Sequence, residues 1–81
     1  MSLFDDLAEA SGLAPLLAPF TLSRLLIRAG VDPKNLTLDG IERALPELED
    51  GLRVYLQSDE YDRAVKRIRD LAASAPSAGV T

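Results

Sequence analysis

The sequence predicts an all-α fold, a small single-domain bundle of about four helices, and three observations support it. Hydrophobic residues make up 47% of the 81 residues but aromatic residues only 5%, which is typical of a helical core of aliphatic side chains. Gly, Pro and Ser/Thr residues divide the chain into segments of helical length. One long segment repeats apolar residues at intervals of three and four, as a helix face does: Leu38, Ile41, Leu45, Leu48, Leu52 and Tyr55.

The first helix is predicted over residues 2–11. Ser2 is a good N-cap residue because its hydroxyl can accept a hydrogen bond from a free backbone N–H of the first turn. Asp5 and Asp6 then lie near the positive end of the helix dipole. Gly12 is expected to end the helix in a left-handed conformation.

The second helix is predicted over about residues 19–29. Pro15 and Pro19 each suit a first helical turn and disfavour a helix that enters from before, so we expect a bent approach to this helix. Gly30 fits its C-terminal end. Ile27 lies off the main apolar face, so this helix is apolar on more than one side and is either central or in contact with a partner.

The third helix is predicted over residues 38–57, capped by Thr37 and kinked at Pro46, because its apolar face continues past the proline. The fourth helix is predicted over about residues 59–73, with Ser58 as its cap.

Two parts of the chain are distinguished by periodicity: residues 1–73 form the helical domain, and residues 74–81 have no periodicity and should be disordered. A domain this small buries a smaller fraction of its surface than a larger one. Its stability cannot be raised by disulfides or His/Cys metal sites, because the chain has no Cys and no His. A protein partner is the remaining aid to stability.

Composition also limits the chemistry. Without His or Cys the commonest general base, thiol nucleophile and soft metal ligands are missing, so we expect no enzyme activity, no cofactor, no metal and no small-molecule substrate. No apolar run approaches the ~20 residues that span a membrane, and the acidic start does not resemble a signal peptide. The expected location is the cytoplasm.

Residues 21–36 resemble the first helix and turn of bacterial helix-turn-helix regulators, including the MerR type. The matching residues are Leu25, Ala29, Gly30, Val31 and Leu36. The resemblance implies DNA binding, which is the alternative function. The sequence departs from the pattern at Leu26, where a small residue is usual, and at Asp39, where an apolar one is usual. The segment in the position of the recognition helix is acidic, and a net charge of −4 is unfavourable for phosphate.

A second charged candidate is the basic group of the fourth helix, which could meet phosphate or an acidic partner: Arg63, Lys66, Arg67 and Arg69. Acidic residues are interleaved with it. If the last two helices form an antiparallel hairpin, the acids from Glu47 to Asp50 lie opposite this basic group and pair with it.

The function predicted from the sequence is a protein-protein interaction module, meaning a small adaptor, regulator or assembly subunit. Apolar residues are concentrated in residues 13–31, and such a surplus on a small domain marks a contact surface. The expected partner is another protein or a second copy of this chain, which would give a homodimer. The alternative is that these residues complete the core of the monomer. The predicted contact residues are Leu16, Leu17, Phe20 and Ile27.

Overall fold

The computed structural model of the chain describes residues 2–73, and these form an all-α bundle without a β-strand. The predicted fold class is thereby confirmed. The four α-helices and the short 3-10 turn between the second and third of them are α1 (Leu3–Ser11), α2 (Ala18–Arg28), the turn (Pro33–Asn35), α3 (Leu38–Tyr55) and α4 (Ser58–Ala73). The predicted tail, residues 74–81, lies outside the described residues.

Helix α1 begins and ends at the predicted residues. The hydroxyl of Ser2 accepts a hydrogen bond from the N–H of Asp5 at 3.1 Å, and the carboxylate of Asp5 accepts one from the N–H of Ser2 at 3.5 Å. This reciprocal pair is a capping box, which satisfies two backbone donors at once. Gly12 follows with a φ of 73°, a left-handed conformation in which glycine has no Cβ penalty.

Helix α2 is entered through a helical turn. The N–H groups of Leu17 and Ala18 both donate to the carbonyl of Ala14 at 2.9 Å, so helical hydrogen bonding starts ahead of Pro19. At the other end Gly30 has a φ of 80°, and the N–H of the next residue returns to the carbonyl of Leu26 at 2.8 Å. This is the Schellman pattern, which supplies partners to the last carbonyls of a helix.

The connection between α2 and α3 is closed by two side-chain caps. The carboxylate of Asp32 accepts hydrogen bonds from the N–H of Lys34 and the side-chain amide of Asn35, both at 2.9 Å. These bonds, the backbone one first, lower the pKa of Asp32 from its usual value of 3.8. The Thr37 hydroxyl accepts from the N–H of Gly40 at 2.9 Å, which confirms the predicted N-cap of α3.

Helix α3 continues through Pro46 as a single helix, as its uninterrupted apolar face predicted. The kink at Pro46 stays a prediction. Helix α4 begins at Ser58 itself, whereas the sequence suggested Ser58 as the cap. The N–H of Gln57 instead donates to the carboxylate of Glu60 at 3.3 Å, which places the cap one residue earlier.

Each helix packs against two others, in the cyclic order α1, α2, α3, α4 and back to α1. Where α2 meets α3, the buried side chain of Leu25 occupies the space beside Gly51 in which any other residue would have its Cβ. The hydrophobic core is aliphatic throughout: Leu7, Ala18, Leu22, Leu25, Leu26, Val31, Ile41, Ala44, Leu48, Leu52 and Ile68. Within residues 2–73 no helix is both long and apolar enough to cross a membrane.

Candidate protein interface

The four predicted contact residues all lie on the solvent side of α2 and of the turn that leads into it. Leu16 is 84% exposed, Leu17 52%, Phe20 74% and Ile27 62%. These side chains therefore do not complete the core formed by the described residues. Exposure is what a contact surface requires, and contact with a partner stays a prediction. We call these four residues the α2 surface.

The two sides of α2 follow from helical geometry. Phe20 and Ile27 are seven residues apart, which is about two turns, so their side chains point in nearly the same direction. Leu22 and Leu26 lie on the other side and are fully buried. The structure thus confirms that α2 is apolar on more than one side, with one side in the core and the other in solvent.

A shallow groove between α2 and α3 adjoins the α2 surface. The groove is lined by residues of both helices: Thr21, Arg24, Leu25, Arg28, Gly51, Val54 and Tyr55. We call it the α2–α3 groove. Its volume is about 110 Å³, below the ~300 Å³ at which small-molecule sites begin but above the ~30 Å³ of one water molecule. The groove has room for a single side chain of a partner.

Val54 is a surface residue that was not predicted from the sequence. Val54 is 80% exposed and Tyr55 is 50% exposed, and both lie at the end of α3 beside α2. Val54 falls outside the repeat of three and four that marks the buried face of α3, and this was the available signal. Tyr55 belongs to that repeat, but the helix ends there and leaves its side chain half exposed.

The charges at the groove are positive. The guanidinium Nε of Arg28 lies 3.7 Å from the carboxylate of Glu47, a long contact between exposed groups. Arg24 is exposed, and no described residue forms an ion pair or hydrogen bond with its side chain. A carboxylate brought to this groove would therefore find one arginine without a partner and a second that is weakly engaged.

Two residues of the basic group of α4 form ion pairs with acids of the same molecule. Arg69 donates from Nη2 and Nε to one carboxylate oxygen of Glu49, at 2.7 and 3.0 Å. This pair confirms part of the predicted charge pairing across the hairpin: Glu49 pairs with Arg69, whereas Glu47 contacts Arg28 of α2. Lys66 contacts Asp70 at 3.4 Å.

The other two basic residues of this group lie beside α1. Arg67 lines a cleft together with Asp6, Glu9 and Asp70. Arg63 lies near Gly12, at the negative end of the α1 dipole, where a cation is stabilising. Arg63 and Arg67 form no ion pair with a described residue. Lys66 and Arg69 have acidic partners in the same molecule, and this weakens the group as a surface for phosphate.

The pKa shift of Arg53 arises from a structural contact between Arg53 and Tyr61. A nitrogen of the Arg53 guanidinium lies 3.4 Å from the Tyr61 hydroxyl, and its central carbon lies 5.3 Å from the centre of the ring. The hydrogen bond to Tyr61 is the main reason that the pKa of Arg53 is raised. This contact joins α3 to α4. In the part of the chain that the structure describes, no group of three or more carboxylates is placed to hold a metal ion.

Comparison of the chain with protein-family models, with curated proteins and with solved structures gives no match. Function is therefore inferred from the surface of this molecule alone.

Proposed function

We propose that this chain is a protein-protein interaction module, a small adaptor, regulator or assembly subunit that acts by binding another protein chain. The observation that carries the proposal is the exposure of the α2 surface, where four large hydrophobic side chains follow one another along one helix and its entry turn. Single exposed hydrophobic residues are ordinary, but several in one place mark an interaction site. The proposed location is the cytoplasm, in keeping with a chain that has no cysteine.

The energy available at this surface is moderate. Burial of a fully exposed Leu, Ile or Phe side chain contributes about 2 kcal/mol, so the exposed fractions of the four residues amount to about 5 kcal/mol in total. Association costs roughly 4–15 kcal/mol in lost freedom of motion. The α2 surface is therefore a hydrophobic anchor that needs further contacts around it.

Cross-linking from defined positions tests the proposal. A photoreactive amino acid replaces Phe20 in one variant and, as a matched control, Arg63 in another; both positions are exposed, but only the first lies on α2. We expect cross-links to a protein from position 20 and none from position 63. Cross-links from both positions, or from neither, would contradict the proposal.

Self-association is tested with the same α2 surface. Sedimentation over a range of protein concentrations shows whether the chain forms dimers, and the Phe20→Ser variant shows whether a dimer uses this surface. A dimer that persists in Phe20→Ser places self-association elsewhere on the molecule.

DNA binding, the alternative function, has less support in the geometry. The helix that follows the turn is α3, and its exposed Arg43 follows two acids, Asp39 and Glu42. Arg69 and Lys66 are paired with acids of the same chain. A gel-shift titration against duplex DNA at low salt tests this alternative, and salt-sensitive binding would revive it.

A further inference from the structure

The segment that contains the α2 surface has a net charge opposite in sign to that of the whole chain. Residues 13–31 include Arg24 and Arg28 and no acid, a net charge of +2, whereas the whole chain has a net charge of −4. The remaining residues therefore have a net charge of −6, the difference between these two values. The hydrophobic anchor proposed above thus lies in a segment that is electropositive although the protein is acidic.

The two arginines are placed to contact a bound segment. They lie four residues apart, one turn of α2, and both line the α2–α3 groove together with Val54 and Tyr55. The side chain of Arg24 has no partner among residues 2–73, and that of Arg28 is 67% exposed. Guanidinium groups at a partly apolar groove bind carboxylates by paired, charge-assisted hydrogen bonds.

A second copy of this chain fits the region poorly. A two-fold dimer pairs the same surface with itself. If antiparallel α2 helices bring Phe20 of one copy against Ile27 of the other, the two-fold axis passes midway between these positions, at Ser23 and Arg24. The two copies of Arg24 then lie about 1.5 Å apart along the helix axis, given the rise per residue, and α2 has no acid to separate them.

An acidic partner with an apolar face would match both the exposed hydrophobic side chains of the α2 surface and the positive charges of Arg24 and Arg28. We propose that the α2 surface and the α2–α3 groove bind an amphipathic helix of a different protein, whose apolar side chains cover Phe20 and Ile27 and whose Asp or Glu residues pair with Arg24 and Arg28. A helix suits the site because apolar residues at its successive turns match the spacing along α2. This inference rests on the proposed function and names the chemistry of the partner.

The test is a selection from a displayed library of helical peptides about four turns long. Apolar residues occupy one face, and the flanking positions are drawn equally from Glu, Lys, Gln and Ala. Peptides are selected on the intact wild-type chain and counter-selected on Phe20→Ser, which removes the anchor without adding charge. We expect the selected peptides to be enriched in Glu at the flanking positions.

Two charge-reversal variants then locate the contact. Arg24→Glu and Arg63→Glu change the net charge equally, but Arg63 lies on α4, which packs mainly against α1 and α3, whereas Arg24 lines the α2–α3 groove. Fluorescence anisotropy should show at least about tenfold weaker binding of the Glu-rich peptide to Arg24→Glu, within the range of effects for close charge pairs, and no change for Arg63→Glu. The twin peptide with Lys in place of Glu should show the reverse preference for Arg24→Glu.

Other outcomes overturn the inference. Selected peptides rich in Lys or without charge, equal effects of the two variants, or no selected peptide at all would each contradict an acidic helical partner. Cross-linking from position 20 distinguishes failure of this inference from failure of the proposed function. If a protein is cross-linked there but the peptide results contradict an acidic helix, the proposed interaction module stands and only the partner chemistry is rejected. Absence of both cross-links and peptides rejects the proposed function as well.

Discussion

Replacement of Gly51 by alanine is expected to destabilise this protein, although alanine is the better helix former. Gly51 lies in the interior of α3, opposite the buried side chain of Leu25 on α2. A Cβ at position 51 would lie 2.6 Å from Cδ1 and 3.0 Å from Cγ of Leu25, and closer still to Cδ2. A rotation of the Leu25 end group cannot relieve a contact that includes Cγ, so the helices must separate or the side chain must leave its rotamer.

The sign of the effect depends on two opposing terms. Alanine in place of glycine inside a helix contributes about 1 kcal/mol of stability. Overpacking of a filled core costs typically about 1–3 kcal/mol. With three heavy atoms of one buried leucine involved, the cost should exceed the gain, and the net loss should be about 1 kcal/mol.

A double-mutant cycle with Leu25→Ala isolates the contact. Urea unfolding followed by circular dichroism gives the free energy of unfolding of the four proteins, all in the same concentration of a stabilising osmolyte so that the Leu25→Ala proteins stay folded. In the Leu25→Ala background Gly51→Ala should stabilise by about 1 kcal/mol, because the clash is gone and the helix preference remains. The same change in both backgrounds would refute a packing role for Gly51.

Three further predictions concern caps and charges. Thr37→Ala removes the acceptor for the N–H of Gly40 and should lower the free energy of unfolding by about 1 kcal/mol, whereas Thr37→Ser should retain most of it. Glu49→Gln weakens the contact with Arg69 and should cost about 0.2–1 kcal/mol at low salt and less at high salt, measured by urea unfolding at two ionic strengths. The folded state lowers the pKa of Asp32, so the ionised carboxylate stabilises the fold above its unfolded pKa, and this stabilisation is lost as pH falls through its folded pKa. Below about pH 4 the wild type should therefore lose stability relative to Asp32→Asn. Urea unfolding as a function of pH measures this difference.

Several helix ends could be predicted because their causes are local. Ser2, Gly12, Gly30 and Thr37 each act on backbone groups within a few residues, and each has the predicted role in the structure. The role of Gly51 could not be predicted in this way. In the sequence it only weakens α3, whereas its packing against another helix depends on how the two helices cross.

An ion pair could be predicted from the sequence only where the arrangement of its two helices could also be predicted. The antiparallel arrangement of α3 and α4 follows from the short connection between them, so the pairing of Glu49 with Arg69 could be predicted. The contact of Glu47 with Arg28 joins two helices whose relative rotation is decided by core packing. The same limit applies to Val54, whose position beside α2 appears only when the helices are assembled.

Because α2 has one side in the core and one in solvent, folding and binding should respond to different substitutions. Leu26 is fully buried, and Leu26→Ala should cost about 2–5 kcal/mol of unfolding free energy. Phe20 is 74% exposed, so Phe20→Ser should change the stability of the monomer by no more than about 0.5 kcal/mol while it abolishes binding to the partner. Both are measured at low protein concentration, where association adds nothing to stability. A large loss of stability in Phe20→Ser would show that this side chain supports the fold, and the α2 surface would then lose its strongest anchor.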